Sequence, residues 1–323
     1  MDRPDLDRRT FCLGSVAILA GIGAAPPPAP SRVSLGVGAS LQGVRPFPDA
    51  DPWNEPVAGL PVDPRSDLLI RGIGLDQPLH ADFGTIYGNR PIGLSYVVVP
   101  GDQPRVPVRF DAYPEESDQG PYPIPLDAPI EGGPNAAVGG DRHVLIIDRD
   151  AWKLYELFAA SREGNGWRAA SGAIFDLANS TNRPFGWTSA DAAGLPIFPG
   201  LARHDEVVQA GTIPHALRFT CRKVRRAYVA PARHWASPST DPNLPPMGMR
   251  VRLKRNFDVS GFPPQARVVL EGLKTYGMIL ADIGGDWFVS GAHDLRWDDD
   301  ALGTLRRVKG RDLEVVKMGP IAT

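Results

Sequence analysis

The residue pair best suited to chemistry is a histidine and a glutamate in two neighbouring apolar runs. His143 opens the first run, and Glu156 lies inside the second, residues 151–159. Because Arg149-Asp150 can form a two-residue hairpin loop between the runs, the predicted register places His143 opposite Glu156. A carboxylate on an apolar face is paired or has a raised pKa, and a partnered histidine titrates near neutral pH. The pair therefore has the properties of a general acid or base.

A third run adds a serine to the same row. If residues 161–166 connect the second run to the third, Ser171 pairs with Glu156, which then lies between His143 and Ser171. The imidazole does not reach the hydroxyl in that order, which argues against a serine hydrolase. The alternative is a structural role, in which the His143 and Glu156 side chains lie in the core and only hydrogen-bond to each other. A one-residue slip of register would move both side chains to the opposite face.

Further carboxylates lie in a long loop, residues 176–200. Asp176 and Asp191 are candidate acids or bases, and Trp187 is a candidate stacking platform for a sugar ring. Alternatively, Ser189 caps the start of a short helical turn, and the Asp191 carboxylate interacts favourably with the dipole of that turn.

His215 is another polar residue directed toward apolar neighbours, because it shares a strand face with Leu217 and Phe219. We expect it to be either catalytic or a core histidine with a backbone partner. Together with His143 and Glu156 it could also form a two-histidine, one-carboxylate metal site.

Three residues outside these runs are predicted to bind substrate. His234 and Trp235 precede a loop rich in Ser, Pro and Asp, and could line a cleft. Arg250 begins a strand and could hold an anionic group.

Composition limits the classes of partner and cofactor. The formal net charge is −2 with both signs interspersed, which argues against nucleic acid as a partner. The two cysteines are Cys12 and Cys221, and Cys12 lies in the predicted leader, so the mature chain has no disulfide. The sequence contains no Cys-x-x-Cys, His-Glu-x-x-His, glycine-rich phosphate loop or Gly-x-Ser-x-Gly. We therefore expect no cofactor.

The first 25 residues have the parts of a twin-arginine signal peptide. Arg8-Arg9 precede an apolar run from Leu13 to Ala25, and prolines follow at 26–28. The run is well short of the roughly 20 residues that a membrane-spanning helix needs. The sequence therefore predicts a periplasmic or secreted protein with no stable membrane anchor.

Short strand-like runs separated by turns predict an all-β, mainly antiparallel fold, because their spacing leaves no room for helical crossovers. Without an internal repeat, this texture favours a β-sandwich or jelly roll over residues 67–323, with residues 26–66 wrapping onto it. Two helices are expected near the C-terminus, at Ala266–Tyr276 and Ala301–Val308. A hairpin is expected where Gly284-Gly285 separates two strands. The predicted strands are Ser95–Val99, Val106–Tyr113, His143–Asp148, Trp152–Ala159, Arg168–Leu177, His215–Thr220, Arg226–Val229, Met249–Lys254, Met278–Ala281 and Trp287–Val289.

Five strings resemble those of a family of secreted bacterial proteins of hypothetical function. They are YPIP at 122–125, GDRH at 140–143, SGAIFD at 171–176, GWTSADAAGLP at 186–196 and YGMILAD at 276–282. The resemblance covers most of the chain after the leader. It implies one secreted unit and no particular activity.

Export, a β-rich body and acidic and aromatic loops favour a secreted enzyme that cleaves an extracellular glycan, as a glycoside hydrolase or a lyase. Glu156, tuned by His143, would act as acid or base, with Asp191 or Asp176 as the second carboxylate. The alternatives are an exported metalloprotein and a glycan-binding or envelope-structural protein without catalysis. The oligomeric state does not follow from the sequence.

Overall fold

A computed structural model describes residues 31–133, 136–137, 139–180 and 183–323. The predicted signal peptide, residues 1–25, lies outside the described residues. No helix within the described ranges is long and apolar enough to cross a membrane.

The described chain is mostly strands, arranged in several mixed sheets, with few helices. In chain order the strands are β1 (Gly36–Val37), β2 (His80–Asp82), β3 (Ile86–Tyr87), β4 (Arg90–Pro91), β5 (Tyr96–Val99), β6 (Val108–Phe110), β7 (Val144–Asp148), β8 (Lys153–Phe158), β9 (Ser161–Glu163), β10 (Gly166–Ala169), β11 (Ser171–Asp176), β12 (Leu217–Cys221), β13 (Tyr228–Val229), β14 (Arg250–Leu253), β15 (Met278–Ile283), β16 (Phe288–Ser290), β17 (Leu313–Val315) and β18 (Ile321–Ala322). The α-helices are α1 (Ser66–Ile73), α2 (Pro264–Thr275) and α3 (Asp299–Gly303), and a π-helical turn spans Asp205–Ala210.

One larger sheet has five strands in the order β1-β5-β7-β8-β11. The predicted β7–β8 and β8–β11 pairings exist, but the predicted register is wrong by two residues: Glu156 pairs with Leu145 and Ala173. The β7–β8 shift comes from the turn after β7, where the Asp148 carboxylate accepts the N–H groups of Asp150 and Ala151 and holds a four-residue loop. The β8–β11 shift accompanies the β9–β10 hairpin between those strands, in which Glu163 pairs with Gly166. Because side chains alternate with period two, a shift of two residues leaves each side chain on the face of the sheet for which it was predicted.

The other larger sheet has six strands in the order β17-β14-β15-β12-β16-β2. The predicted hairpin at Gly284-Gly285 is wrong, because β15 and β16 do not pair with each other. Strand β12 lies between them, parallel to β15 and antiparallel to β16.

Parallel pairing is more common than the predicted antiparallel fold allowed. Strand β5 is parallel to β7, β6 to β10, β12 to β15, and β2 to β16. The long connections that parallel strands require are present, because the chain from β12 to β15 passes through β13, β14 and α2.

The predicted C-terminal helices exist with shifted ends. Helix α2 covers most of Ala266–Tyr276, and α3 is a short helix followed by a 3-10 turn at Thr304–Arg307. The predicted cap is present, because the Asp298 carboxylate accepts the Ala301 N–H. Helix α1 was not predicted, although Leu69 and Ile73 lie four residues apart and are both buried.

The two larger sheets contribute to one core. Leu145, Leu154 and Phe175 of the five-stranded sheet belong to the same buried apolar cluster as Leu217 and Phe219 of the six-stranded sheet. The opposite face of the five-stranded sheet packs in a second, smaller cluster. The side chains that alternate along β7 and β8 are therefore buried on both faces, which explains why these strands read as continuous apolar runs.

Candidate functional site

A cleft of about 280 Å³ opens between the start of β11, the end of β15 and the loop that follows β11. Three carboxylates line it: Asp141, Asp191 and Asp282. Ser171 and His234 also contribute to its walls. The cleft thus combines several acid groups with a histidine, and two of the residues predicted to act, Asp191 and His234, meet here.

The charges in the cleft are organised by Arg218 on β12. Its guanidinium donates to both oxygens of Asp191, with Nε–Oδ2 at 2.8 Å and Nη2–Oδ1 at 2.9 Å. It also donates to Asp282 Oδ2 at 3.1 Å and to the Ser290 hydroxyl at 2.6 Å. Because the Asp191 side chain is 0% exposed, this bidentate ion pair is what allows its charge to be buried.

Asp282 faces the cleft because β15 carries a bulge. Phe219 pairs with Leu280, but Thr220 pairs with Asp282, so Ala281 is an extra residue. Regular alternation would put Asp282 on the same face as Leu280, and the bulge turns it to the face of Thr220 and Arg218.

Asp282 combines partial exposure with a shifted pKa. Its side chain is 23% exposed. Burial, followed by repulsion from the Asp191 carboxylate, raises the pKa of Asp282 to about 7, against the opposing effect of Arg218. A carboxyl group with a pKa near 7 can give or take a proton at neutral pH, which makes Asp282 the best-placed acid or base in the cleft.

The loop that carries Asp191 is held by His143, Glu156 and Ser171, the three residues predicted to lie in one row of the sheet. His143 Nε2 lies 3.0 Å from the Ala190 carbonyl, and the Ser171 hydroxyl donates to the Ser189 carbonyl at 2.7 Å. The Glu156 carboxylate accepts the N–H groups of Ile197 and Phe198 at 2.9–3.0 Å. His143, Glu156 and Ser171 lie on one face of the sheet, as predicted. Their side chains form hydrogen bonds with the backbone of the loop.

The predicted contact between His143 and Glu156 is replaced by one with Glu131. His143 Nδ1 lies 2.6 Å from Glu131 Oε2. Burial disfavours the charged imidazole, but the adjacent Glu131 carboxylate raises the pKa of His143 to about 9. With a proton on each ring nitrogen, His143 donates to both Glu131 and the Ala190 carbonyl.

Glu156 itself is buried away from the cleft. Its side chain is inaccessible to solvent, it is not part of the cleft lining, and both of its oxygens accept backbone N–H groups. Burial raises the pKa of Glu156 to about 7, although the two N–H groups lower it. A group that substrate in the cleft cannot reach does not donate a proton to it, so Glu156 is not an acid or base of this cleft.

The predicted metal set is not assembled either. Within the described residues no group of three His, Cys, Asp or Glu side chains is arranged to hold a metal ion. His215 contacts the Glu206 carboxylate through Nε2 at 3.1 Å and the Ala216 carbonyl through Nδ1 at 2.8 Å. Both ring nitrogens are thus occupied, as expected for a core histidine.

The other predicted site residues are dispersed. Asp176 ends β11, remote from Ser171 at its start, and accepts the Ala178 N–H in a local turn. Arg250 donates to the carbonyls of Pro52, Glu55 and Tyr276, which uses its donors within the chain. Ser189 caps no helix in this loop; its hydroxyl accepts the Asp191 N–H in a tight turn.

Aromatic side chains lie beside the cleft. His234, which lines it, stacks on Trp235 with ring centroids 5.9 Å apart, and Trp235 stacks in turn on Tyr228. Phe185, in the loop before Thr188, is 74% exposed and has the Arg233 guanidinium 4.5 Å from its ring centroid. Trp187 is half-buried with Arg183 over its ring.

Sequence reasoning missed Arg218, Asp282 and Glu131. Arg218 had a signal, because it is a single charge inside an apolar strand, just as Glu156 is. Asp282 had none, because its orientation depends on the bulge. Comparison of the chain with protein-family models, with curated proteins and with solved structures gave no match in any of the three.

Proposed function

We propose that this protein is an exported glycoside hydrolase that cleaves a neutral or amine-bearing glycan in the cleft, with Asp282 as the proton donor. The observation that carries the proposal is a partly exposed carboxyl group with a pKa of about 7 on a cleft wall. Export rests on the sequence of residues 1–25, and the enzyme would work in the periplasm or outside the cell.

The reaction requires two carboxyl groups with different protonation states. Asp282, protonated in part at neutral pH, would donate a proton to the glycosidic oxygen as the bond to the anomeric carbon breaks. Asp141 is exposed on the cleft wall and would act as the second carboxylate, taking a proton from the water whose oxygen forms the new bond to the anomeric carbon. Asp191, fixed by Arg218, would act through its charge, which raises the pKa of Asp282.

The charge of the cleft supports hydrolysis over elimination. Among the described residues that line it there are three carboxylates and no lysine or arginine, and Arg218 beneath them is already paired. Asp141 is the lining carboxylate that is neither paired with Arg218 nor the proposed proton donor, and its negative charge would stabilise the positive charge that develops at the anomeric carbon during hydrolysis. The same charge repels polyuronates, the acidic glycans on which a lyase would act.

The surroundings of the cleft support a sugar substrate. His234 lines the cleft and stacks on Trp235, which stacks on Tyr228, so an aromatic cluster borders the wall that carries the acid groups. The proposal also includes the predicted sandwich, for which the core shared by the two larger sheets is the support.

The test compares Asp282→Asn with wild type on a panel of neutral, amino and uronate polysaccharides, scored by released reducing ends and by unsaturated products. We expect Asp282→Asn to lower the rate of cleavage by about 10²- to 10⁴-fold. Asp176→Asn, a carboxylate at the far end of β11, is the matched control and should retain activity. Wild-type kcat/KM should fall as the pH rises through about 7, because Asp282 loses its proton.

Two outcomes would contradict the proposal. Undiminished cleavage by folded Asp282→Asn would remove Asp282 from the reaction, and unsaturated products from a polyuronate would replace hydrolysis by elimination. Retention of glycan without any product would favour the binding-only alternative, for which the aromatic stack beside the cleft is the supporting observation.

A further inference from the structure

A second and larger cavity lies at the edge of the six-stranded sheet, between β2, the β3–β4 hairpin and α3. Its volume is about 460 Å³. Small-molecule sites have volumes of about 300–1,000 Å³, so the cavity is large enough for a ligand of that class. None of its described lining residues also lines the cleft around Asp282.

The floor of the cavity is apolar and one wall is unusually exposed. Leu79, Phe83 and Leu302 form the buried floor. On the hairpin, Ile86 and Tyr87 line the opening although they are 53% and 82% exposed. Large apolar side chains left in water beside an apolar floor are typical of a binding surface.

Polar groups also line this cavity, but they do not favour a ligand of one charge over the other. Arg306 and Asp299 bring opposite charges to the rim, and Asp299 also accepts hydrogen bonds from Thr85. His80 stacks on Phe288 at 4.1 Å, and burial lowers its pKa, which favours the uncharged imidazole. Asp82, half-buried beside it, has a pKa raised by burial.

This combination excludes two classes of ligand. An anion or a cation would pair with one of Arg306 and Asp299 and lie against the other. A purely apolar molecule would desolvate His80 and Asp82 without replacing their hydrogen bonds. What fits is an uncharged ring with an apolar face and several hydroxyl groups.

We propose that this cavity binds an uncharged sugar unit, with the ring against Tyr87 and its hydroxyl groups toward His80 and Asp82. The choice of a sugar over another uncharged ring rests on the proposed function. The cavity would then hold a glycan chain at a point separate from the cleft.

The test is affinity electrophoresis through gels that contain soluble neutral β-glucan or mannan, with full-length protein in the Asp282→Asn background so that the polysaccharide is not cleaved. Two variants address the cavity. Tyr87→Ala removes the exposed ring, and Gly303→Leu fills the space. At Gly303 an added Cβ would meet only Arg306 Nη2, at 3.6 Å, which is an ordinary van der Waals contact. Val37→Ala, at a 66% exposed position on β1, is the control.

We expect retardation by at least one neutral polysaccharide, with the dissociation constant increased fivefold or more by Tyr87→Ala and by Gly303→Leu and unchanged by Val37→Ala. Unchanged melting temperatures would show that the variants fold. The proposal would be overturned if Tyr87→Ala and Gly303→Leu were retarded as strongly as the protein with the intact cavity. It would also be overturned if neither polysaccharide retarded the protein.

The result separates this site from the proposed hydrolase. If no glycan is cleaved but retardation depends on Tyr87 and Gly303, the sugar site stands and the enzymatic function fails. If Asp282→Asn abolishes cleavage while neither cavity variant changes retardation, the result supports the proposed hydrolase and contradicts the proposed sugar site.

Discussion

At the residue scale, ionisable groups around the cleft derive their properties from specific partners. Arg218 binds both oxygens of Asp191, and the Glu131 carboxylate, 2.6 Å from the imidazole, raises the pKa of His143 to about 9. Asp282 and Glu156 both have a pKa of about 7, but only Asp282 is accessible from the cleft. A shifted pKa therefore indicates reactivity here only together with exposure.

The His143–Glu131 pair predicts a particular dependence of stability on pH. The pKa of His143 is about 9 in the folded protein against 6.5 unfolded, so the pair's contribution is complete below pH 6.5 and is lost as the pH rises through about 9. Glu131→Gln should therefore lower the free energy of unfolding most near pH 6, with a smaller loss near pH 9. Urea denaturation at pH 6, 7.5 and 9 measures this difference.

A suitable control is Asp241→Asn, at an exposed carboxylate in a separate loop. It should leave the dependence of stability on pH as in wild type. A Glu131→Gln effect that is equal at all three pH values would show that His143 does not titrate with this partner.

At the element scale, the five-stranded sheet positions a loop of the cleft. Polar side chains on one face of β8, β11 and the start of β7 bind backbone groups of residues 189–198. The bulged strand β15 binds the same loop, because the Ala281 carbonyl accepts the Ala193 N–H at 3.0 Å. The loop has no helix or strand around Asp191, so these contacts set the position of that carboxylate.

Glu156→Gln tests this positioning role. Because the amide has one acceptor oxygen, we expect a loss of stability of about 1–3 kcal/mol. Hydrogen exchange of the Ile197 and Phe198 amides should become faster than exchange in the neighbouring strands. Hydrogen-exchange mass spectrometry, with Glu163→Gln at an exposed ion pair as control, measures both regions. Equal protection of residues 197–198 in variant and wild type would exclude the role.

At the scale of the whole molecule, residues 31–60 pack on the core formed by the two larger sheets. Trp53 is buried, and its ring lies against Gly200, where a Cβ would approach it to 2.6 Å. Arg252 donates to the carbonyls of Val57 and Leu60 from the six-stranded sheet. These contacts join the N-terminal segment to both the core and a sheet.

We therefore expect Trp53→Ala to destabilise the whole chain by about 3–5 kcal/mol, in one unfolding transition. Urea denaturation followed by both fluorescence and circular dichroism should give coincident curves with a lower midpoint. Leu60→Ala, at a partly exposed position on the same segment, should have a much smaller effect. A separate early transition in Trp53→Ala would show that the segment folds apart from the core.

Local sequence patterns determined the strands and the faces of their side chains. The runs around His143, Glu156 and Ser171 are strands that share one face as predicted, because alternation with period two is a local property. Helix α2 and the Asp298 cap follow from equally local signals. The single charge of Glu156 in an apolar run correctly indicated a buried side chain that needs a hydrogen-bond partner.

Only the tertiary structure decided which partner each of these groups has. The two-residue error in the β7–β8 register came from the Asp148 side chain, and the insertion of β12 between β15 and β16 depends on chain pairing over long sequence separation. The orientation of Asp282 depends on one extra residue in β15, and Glu131 and Arg218 reach their partners from distant segments. The sequence determined that the polar side chains within the strand runs, such as Glu156, are buried, because burial follows from the strand pattern. Folded contacts decided that Asp282 is 23% exposed to the cleft while the neighbouring Asp191 is fully buried against Arg218.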